Sequence, residues 1–174
     1  LTGGSRPSGG ETEGSFENPN VALLTRSASS VPDGERLGPV DHAQALRDAW
    51  ESVYHSLRHT MRSLGLTLGK DWQYVRVLEP HTSKRGDGRG TNAAYAHEHI
   101  IVVVDGEVSA GEVRPVIEKH VEECDPAGAD AHGEEAIEVR DPDELNDVAA
   151  YVADYASIEP TSLWDRGPEY VGWA

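Results

Sequence analysis

Two apolar periodicities alternate along this chain and restrict the folds open to it. Between positions 46 and 64, apolar residues recur every three or four positions, which predicts one amphipathic helix. Asp41 and Gln44 have the spacing of a capping box at its start, and Gly65 or Gly69 would end it. A second helix is predicted at 109–121, because Ser109 and Glu112 again fit a capping box.

The segments between and around these helices have the composition and alternation of β-strands. They are VALLT (21–25), DWQYVRVLEP (71–80), YAHEHIIVVVDG (95–106) and EAIEVR (135–140). A last helix is predicted from Asp141 as N-cap, with Pro142 at its first position. The order β-α-β-β-α-β-α predicts an α+β fold, in which helices cover an antiparallel sheet of four to five strands, as in ferredoxin-like or split βαβ proteins.

The ends of the chain differ in composition from this periodic part. Residues 1–19 are rich in Gly, Ser, Glu and Pro and have almost nothing to bury, which predicts a disordered tail. Residues 20–174 are predicted to form one domain, which ends in an apolar segment that looks cut short of a longer protein.

The charge balance is strongly acidic, with 31 Asp and Glu against 15 Lys and Arg and a formal net charge of -16. Because apolar residues occur in periodic blocks, we favour a folded protein adapted to molar salt over a disordered acidic chain. At molar salt the Debye length is roughly 3 Å, so repulsion from DNA is screened and the net charge does not exclude a DNA partner. The single cysteine, the lack of an apolar span and the lack of a signal peptide predict a cytoplasmic protein with no membrane partner.

Two histidines and one glutamate are candidates for a metal site. His97 and His99 alternate with Glu98 on one strand and therefore project from the same face, about 6.6 to 6.8 Å apart along the strand. If the predicted strands 71–80 and 95–106 pair as antiparallel neighbours, Glu79 lies beside both imidazoles. Two neutral nitrogens and one carboxylate leave open positions on a divalent ion and suit Mn or Mg, with Mn favoured by the imidazoles. The alternative is that both histidines are ordinary polar residues on an open sheet face.

Two tyrosines form a second candidate pair. Tyr151 and Tyr155 lie four residues apart at the same edge of the apolar stripe predicted for the last helix, so both can reach one cleft. The alternative is that they are rim tyrosines, with a packed ring and a wet hydroxyl. The Gly-rich loop 81–94 carries the only dense positive cluster, formed by Lys84, Arg85 and Arg89. These side chains are candidates for DNA backbone contacts, and a solvated loop is the alternative.

In this order, the segments VALLT, YVRVLEP with AHEHIIVVVDG, and YVADY resemble the three motifs of the HUH endonuclease superfamily. The similarity runs from about residue 21 to 155 and is greatest to rolling-circle replication initiators of plasmids and viruses, including haloarchaeal ones. Three departures stand out. Glu98 replaces a usually hydrophobic residue and would lie on the opposite strand face, where the strand end could leave it exposed. Asp154 stands where a lysine is common, and the loop after Glu79 is long.

The resemblance implies a DNA endonuclease and strand transferase. Glu79, His97 and His99 would hold the ion, and Tyr155 or Tyr151 would attack a phosphate of single-stranded or hairpin origin DNA, with Tyr155 favoured as the first nucleophile. A 5′-phosphotyrosine and a free 3′-OH result, and host helicase and polymerase would be partners. The alternatives are a transposase or mobilisation relaxase with the same chemistry, and an origin-binding protein without nuclease activity.

Overall fold

The computed structural model describes residues 16–80 and 95–140. Four strands form one antiparallel sheet in the order β2-β3-β1-β4. The strands are β1 (Pro19–Arg26), β2 (Trp72–Pro80), β3 (Ala96–Asp105) and β4 (Ile137–Arg140). Since a helical segment separates β1 from β2 and another separates β3 from β4, this is the split βαβ arrangement. The predicted α+β class and the four predicted strands are confirmed.

Among the described residues, three α-helices lie between the strands, namely α1 (Pro39–Asp48), α2 (Trp50–Ser63) and α3 (Ala110–Glu123). The Ser109 capping box at the start of α3 is confirmed, since the Ser109 hydroxyl accepts from the backbone of Glu112 and the Glu112 carboxylate accepts from the backbone of Ser109. Gly65 follows α2 with a φ of 81°, a left-handed conformation that glycine adopts without strain.

The first predicted helix is two helices, and its predicted capping box is wrong. α1 begins at Pro39, with Gly38 as an N-cap that offers no side-chain hydrogen bond. Proline fits this first position because its fixed φ is helical and it lacks an N–H that would stay unsatisfied. The amide of Gln44 instead donates to Asp48 Oδ1 at 2.6 Å. Ala49 separates the two helices, although its backbone is right-handed, with φ -70° and ψ -13°.

The two faces of the sheet have different roles. One face carries Trp72, Val102, Val104, Ala22 and Leu24, and it forms the main core with buried side chains of α2 and α3. The other face has a second apolar cluster, of Val21, Leu23, Val77 and Ile101, whose described members are all strand residues. The predicted division of β2, with Trp72 and Tyr74 on one face and Val75, Val77 and Glu79 on the other, is confirmed by this partition.

Three buried imidazoles, from α1, from α3 and from the segment after α3, form hydrogen bonds with the chain that follows β1. His120 Nε2 lies 2.8 Å from the carbonyl oxygen of Ser27, and His132 Nε2 accepts from the backbone N–H of Ser27 at 3.1 Å. His42 Nε2 lies 2.9 Å from the carbonyl oxygen of Ala28. The hydrogen-bonding groups of this irregular segment are thereby satisfied where water is excluded.

Within residues 16–80 and 95–140, no helix has both the length and the apolar character to cross a membrane.

Candidate metal centre

The register of two neighbouring strands places the three predicted ligands together. β2 and β3 are antiparallel, and Glu79 lies directly opposite His97 in this pairing. Because side chains alternate along a strand, His97 and His99 project from the same face as Glu79, while Glu98 projects from the other. The expectation that a carboxylate lies beside both imidazoles is therefore met by the register of β2 against β3.

The side chains approach closely enough to share one ion. Glu79 Oε2 lies 3.4 Å from His97 Nε2 and 3.6 Å from His99 Nε2. The two imidazole rings have centroids 4.6 Å apart and are nearly perpendicular, at 88°. In the part of the chain that the structure describes, these three residues are the one group of three or more His, Cys, Asp or Glu whose ligand atoms all lie within 4.8 Å of one another.

These distances fit a divalent ion bound at about 2.0–2.2 Å from each ligand, because adjacent ligands of such an ion lie roughly 3 to 3.5 Å apart. The site is also partly shielded from water, since the side chains of His97 and His99 are 16% and 10% exposed and that of Glu79 is 34% exposed. With three protein ligands on a partly open face, positions remain for a substrate oxygen or for water.

A fourth residue, Thr25, orients one of the imidazoles. Thr25 pairs with His99 across β1 and β3, and its Oγ1 lies 3.1 Å from His99 Nδ1. When Nδ1 carries the proton and donates to Thr25, Nε2 presents its lone pair toward Glu79, which is the tautomer that metal binding requires. Thr25 lies in the VALLT segment, but its role depends on strand register and could not be predicted from spacing.

The structure corrects the expectation that Glu98 is exposed. Glu98 lies on the predicted opposite face, but its side chain is only 4% exposed and forms an ion pair with Arg26, whose side chain is fully buried. Arg76 Nε lies 3.2 Å from the other carboxylate oxygen. Desolvation raises the pKa of Glu98 above its ordinary value, and the attraction of the two arginines opposes this rise. Glu98 is therefore paired inside the protein, on the sheet face that the helices cover.

The other predicted site residues lie outside the described residues. These are Tyr151 and Tyr155 of the predicted last helix, and Lys84, Arg85 and Arg89 of the loop predicted at 81–94. The structure therefore brings together the three predicted metal ligands, and the predicted nucleophiles and loop contacts stay predictions.

The chain belongs to a family of Rep-like proteins. The model of the family described as "Putative rep protein (DUF1424)" matches residues 10–167. This match spans the candidate metal centre and both predicted tyrosines. It identifies the class of protein, a Rep-like protein, and the HUH assignment remains an inference from the motifs.

Curated relatives come from halobacteria. An "Uncharacterized 36 kDa protein" of Halobacterium salinarum is 31% identical over 166 residues, which cover 87% of this chain and 48% of the relative. A protein of the same description from Halobacterium sp. (strain GN101) is 32% identical over 155 residues, which cover 80% of this chain and 44% of the relative. This chain thus spans about half the length of the curated relatives it matches. No solved structure matches it.

Proposed function

We propose that this chain is the nicking and joining domain of a rolling-circle replication initiator of the HUH type. The observation that carries the proposal is the convergence of Glu79, His97 and His99 at 3.4 and 3.6 Å on one sheet face, in a member of a Rep-like family. A histidine pair alone is weak support, because many exposed histidines bind nothing. A carboxylate placed between both imidazoles by strand register is more specific, because three residues from two strands must agree.

The proposed ligands would hold a divalent ion, Mn or Mg, that supplies Lewis-acid stabilisation of charge on a scissile phosphate. Glu79 neutralises part of the charge of that ion, and Thr25 fixes the ring of His99 with its ligand nitrogen directed to the site. The open side of the site leaves room for one phosphate oxygen of the substrate.

The proposed nucleophile is the phenol of Tyr155, with Tyr151 as the second. The tyrosine oxygen attacks phosphorus and loses its proton, the new P–O bond forms a 5′-phosphotyrosine, and the bond to the 3′ oxygen breaks. The departing 3′ oxygen takes up a proton and becomes a free 3′-OH that a polymerase can extend. Attack of a 3′-OH on the phosphotyrosine reverses these changes and joins strands without a nucleotide cofactor.

The sheet order is compatible with tyrosines that reach this site. Tyr151 and Tyr155 follow the last residue of β4 by 11 and 15 positions, which is roughly 16 and 22 Å of helix at 1.5 Å per residue. The end of β4 is level with Val21 and His99 is level with Thr25, so His99 lies about 10 Å across the strands and about 14 Å along them, or roughly 17 Å away. A helix that leaves β4 and crosses the apolar cluster of Val21, Leu23 and Ile101 would therefore be long enough to bring the phenols to the histidines.

Proposed substrates are single-stranded or hairpin origin DNA, with host helicase and polymerase as later partners. We propose backbone contacts from Lys84, Arg85 and Arg89 of the loop after β2.

Covalent trapping tests the proposed chemistry. The chain is incubated in molar KCl with Mn²⁺ and 3′-labelled single strands that tile the replicon encoding it, and the products are separated under denaturing conditions. We expect a labelled protein band, because the 3′ fragment stays attached through its 5′ phosphate. Peptide mapping should place the label on Tyr155 or Tyr151.

Matched variants separate chemistry from folding. Tyr151→Phe combined with Tyr155→Phe should remove the labelled band and leave DNA binding intact, while His97→Ala should remove it at low Mn²⁺ with an unchanged circular dichroism spectrum. A labelled band in the double phenylalanine variant would exclude these nucleophiles. DNA binding by the wild type without a labelled band on any tiled strand would favour an origin-binding protein without nuclease activity.

A further inference from the structure

A patch of aromatic and arginine side chains lies where α2 runs beside β2. Trp50, Tyr54 and Arg58 follow one another at four-residue intervals on α2, and Tyr74 and Arg76 lie on the neighbouring strand. The rings of Trp50 and Tyr54 are stacked, with centroids 5.7 Å apart and an interplanar angle of 26°. Tyr54 and Tyr74 have centroids 5.6 Å apart. These five residues are called the aromatic–arginine patch below.

The patch combines flat rings with cations and remains open to water. The guanidinium carbon of Arg76 lies 4.3 Å from the Trp50 ring centroid, and that of Arg58 lies 5.7 Å from the Tyr54 centroid. Arg58 is exposed, and Trp50, Tyr54 and Tyr74 are each half-buried. Aromatic side chains that serve only the core would be covered, as Trp72 is at 1% exposure.

The local charge of α2 is opposite to that of the chain. α2 contains Arg58 and Arg62 and a single carboxylate, Glu51, so its formal charge is +1 in a chain of net charge -16. Glu51 lies in the first turn, 3.8 Å from His55. Within the described part of the chain, neither Arg58 nor Arg62 forms an ion pair, whereas Arg26, Arg76, Arg114 and Arg140 all do.

We propose that the aromatic–arginine patch binds single-stranded DNA. Bases stack on Tyr54 and Tyr74, and the adjoining phosphates contact Arg58 and Arg62. Stacking platforms bordered by cations are the usual means by which proteins hold a single strand without reading its sequence. Stacking also persists at high salt, where phosphate contacts lose most of their strength, so it suits an acidic protein with halobacterial relatives.

The position of the patch relates it to the candidate metal centre. β2 is the edge strand of the described sheet, and Arg76 of the patch precedes Glu79 of the metal centre by three residues, or roughly 10 Å along the strand. The patch lies on the face that carries α2, and Glu79 lies on the opposite face. Single-stranded DNA bound at the patch would therefore pass over the β2 edge to reach the ion ligands. The proposal rests on the proposed function, because it takes the bound single-stranded DNA to be the DNA that is cleaved.

Binding without cleavage tests the patch separately from the nicking chemistry. The full chain is titrated into a fluorescently labelled 20-nucleotide oligothymidylate with EDTA present, over the KCl range in which circular dichroism shows a folded protein. Tyr54→Ala should weaken binding about tenfold, and Tyr54→Phe should restore it to within about twofold, because the ring does the stacking. Arg58→Ala should reduce the slope of log K against log[KCl] by about 0.7, the loss of one phosphate contact.

Arg36→Ala is the matched control, because Arg36 is also an exposed arginine over a tyrosine ring, at 5.7 Å from the Tyr95 centroid, but belongs to neither α2 nor β2. It should change neither the affinity nor the slope. The titration contains EDTA and requires no cleavage, so a failure of the nicking chemistry leaves this measurement interpretable.

Two outcomes would overturn the proposal. In the first, Tyr54→Ala and Arg58→Ala, with wild-type circular dichroism spectra, bind the oligothymidylate as tightly as Arg36→Ala does. In the second, duplex DNA of the same length binds equally well and with the same dependence on Tyr54, which would exclude base stacking.

Discussion

Glu98 and Arg26 form an ion pair inside the protein, on the opposite face of β3 from both candidate histidine ligands. Arg26 also donates to the carbonyl oxygen of Leu46 at 2.9 Å, which connects β1 to α1. Arg26 lies opposite Glu98 in the pairing of β1 with β3, and Arg76 on β2 lies 3.2 Å from the other oxygen of the same carboxylate. Glu98 therefore connects β3 to both neighbouring strands, between His97 and His99. A charged residue inside a hydrophobic strand thus has a structural role behind the candidate site.

Removal of one partner of this pair should destabilise the domain strongly. In Glu98→Ala, Arg26 keeps a buried charge without its carboxylate, and losses of about 3–5 kcal/mol are typical of broken buried pairs. Urea unfolding at fixed molar KCl, followed by circular dichroism, measures this change.

The double variant Arg26→Met, Glu98→Met is the control, because it removes both charges and retains much of the packed volume. It should lose clearly less stability than Glu98→Ala. Equal unfolding midpoints for Glu98→Ala and the wild type would show that the pair contributes nothing to the fold.

His120 should make stability depend on pH. Burial lowers its pKa from the ordinary 6.5 to about 3, and the nearby Arg26 and His132 act in the same direction. Since the folded pKa lies below the unfolded one, the unfolded chain binds the proton first. The stabilising contribution is therefore complete above about pH 6.5 and is lost as the pH falls toward about 3, at about 1.4 kcal/mol per pH unit.

The comparison with His120→Gln isolates this contribution, because the glutamine amide can still donate to the Ser27 carbonyl but does not titrate. Between pH 6 and 4, the free energy of unfolding of the wild type should fall more steeply than that of the variant, by the equivalent of about one proton. Parallel curves would mean that His120 titrates normally in the folded protein.

Local patterns predicted most of the described fold, because strand alternation and helix periodicity depend on neighbouring residues. The faces of β2 and the convergence of Glu79 with His97 followed from alternation and one assumed pairing. The break at Ala49 was not predicted, since the apolar spacing continues from Leu46 through Trp50 without a change of period. Burial of Glu98 was also missed, because it depends on Arg26, which is 72 positions away in sequence.

The aromatic–arginine patch illustrates the same limit. The spacing of Trp50, Tyr54 and Arg58 is visible in the sequence, but Trp50 also fits the apolar stripe of a core helix. The place of Trp50 in a surface patch is visible only in the structure, where Tyr74 and Arg76 of β2 complete that patch. Patterns within one element could be interpreted from sequence, whereas surfaces built from two elements required the sheet order.

Anomalous scattering from crystals of the full chain grown with Mn²⁺ would test the central claim most directly. The account predicts a strong peak about 2.0–2.3 Å from Glu79 Oε2, His97 Nε2 and His99 Nε2, with the hydroxyl of Tyr151 or Tyr155 facing the same side of the sheet. The peak should vanish in crystals of His97→Ala. A peak bound elsewhere, or both phenols on the sheet face that α2 and α3 cover, would contradict the account.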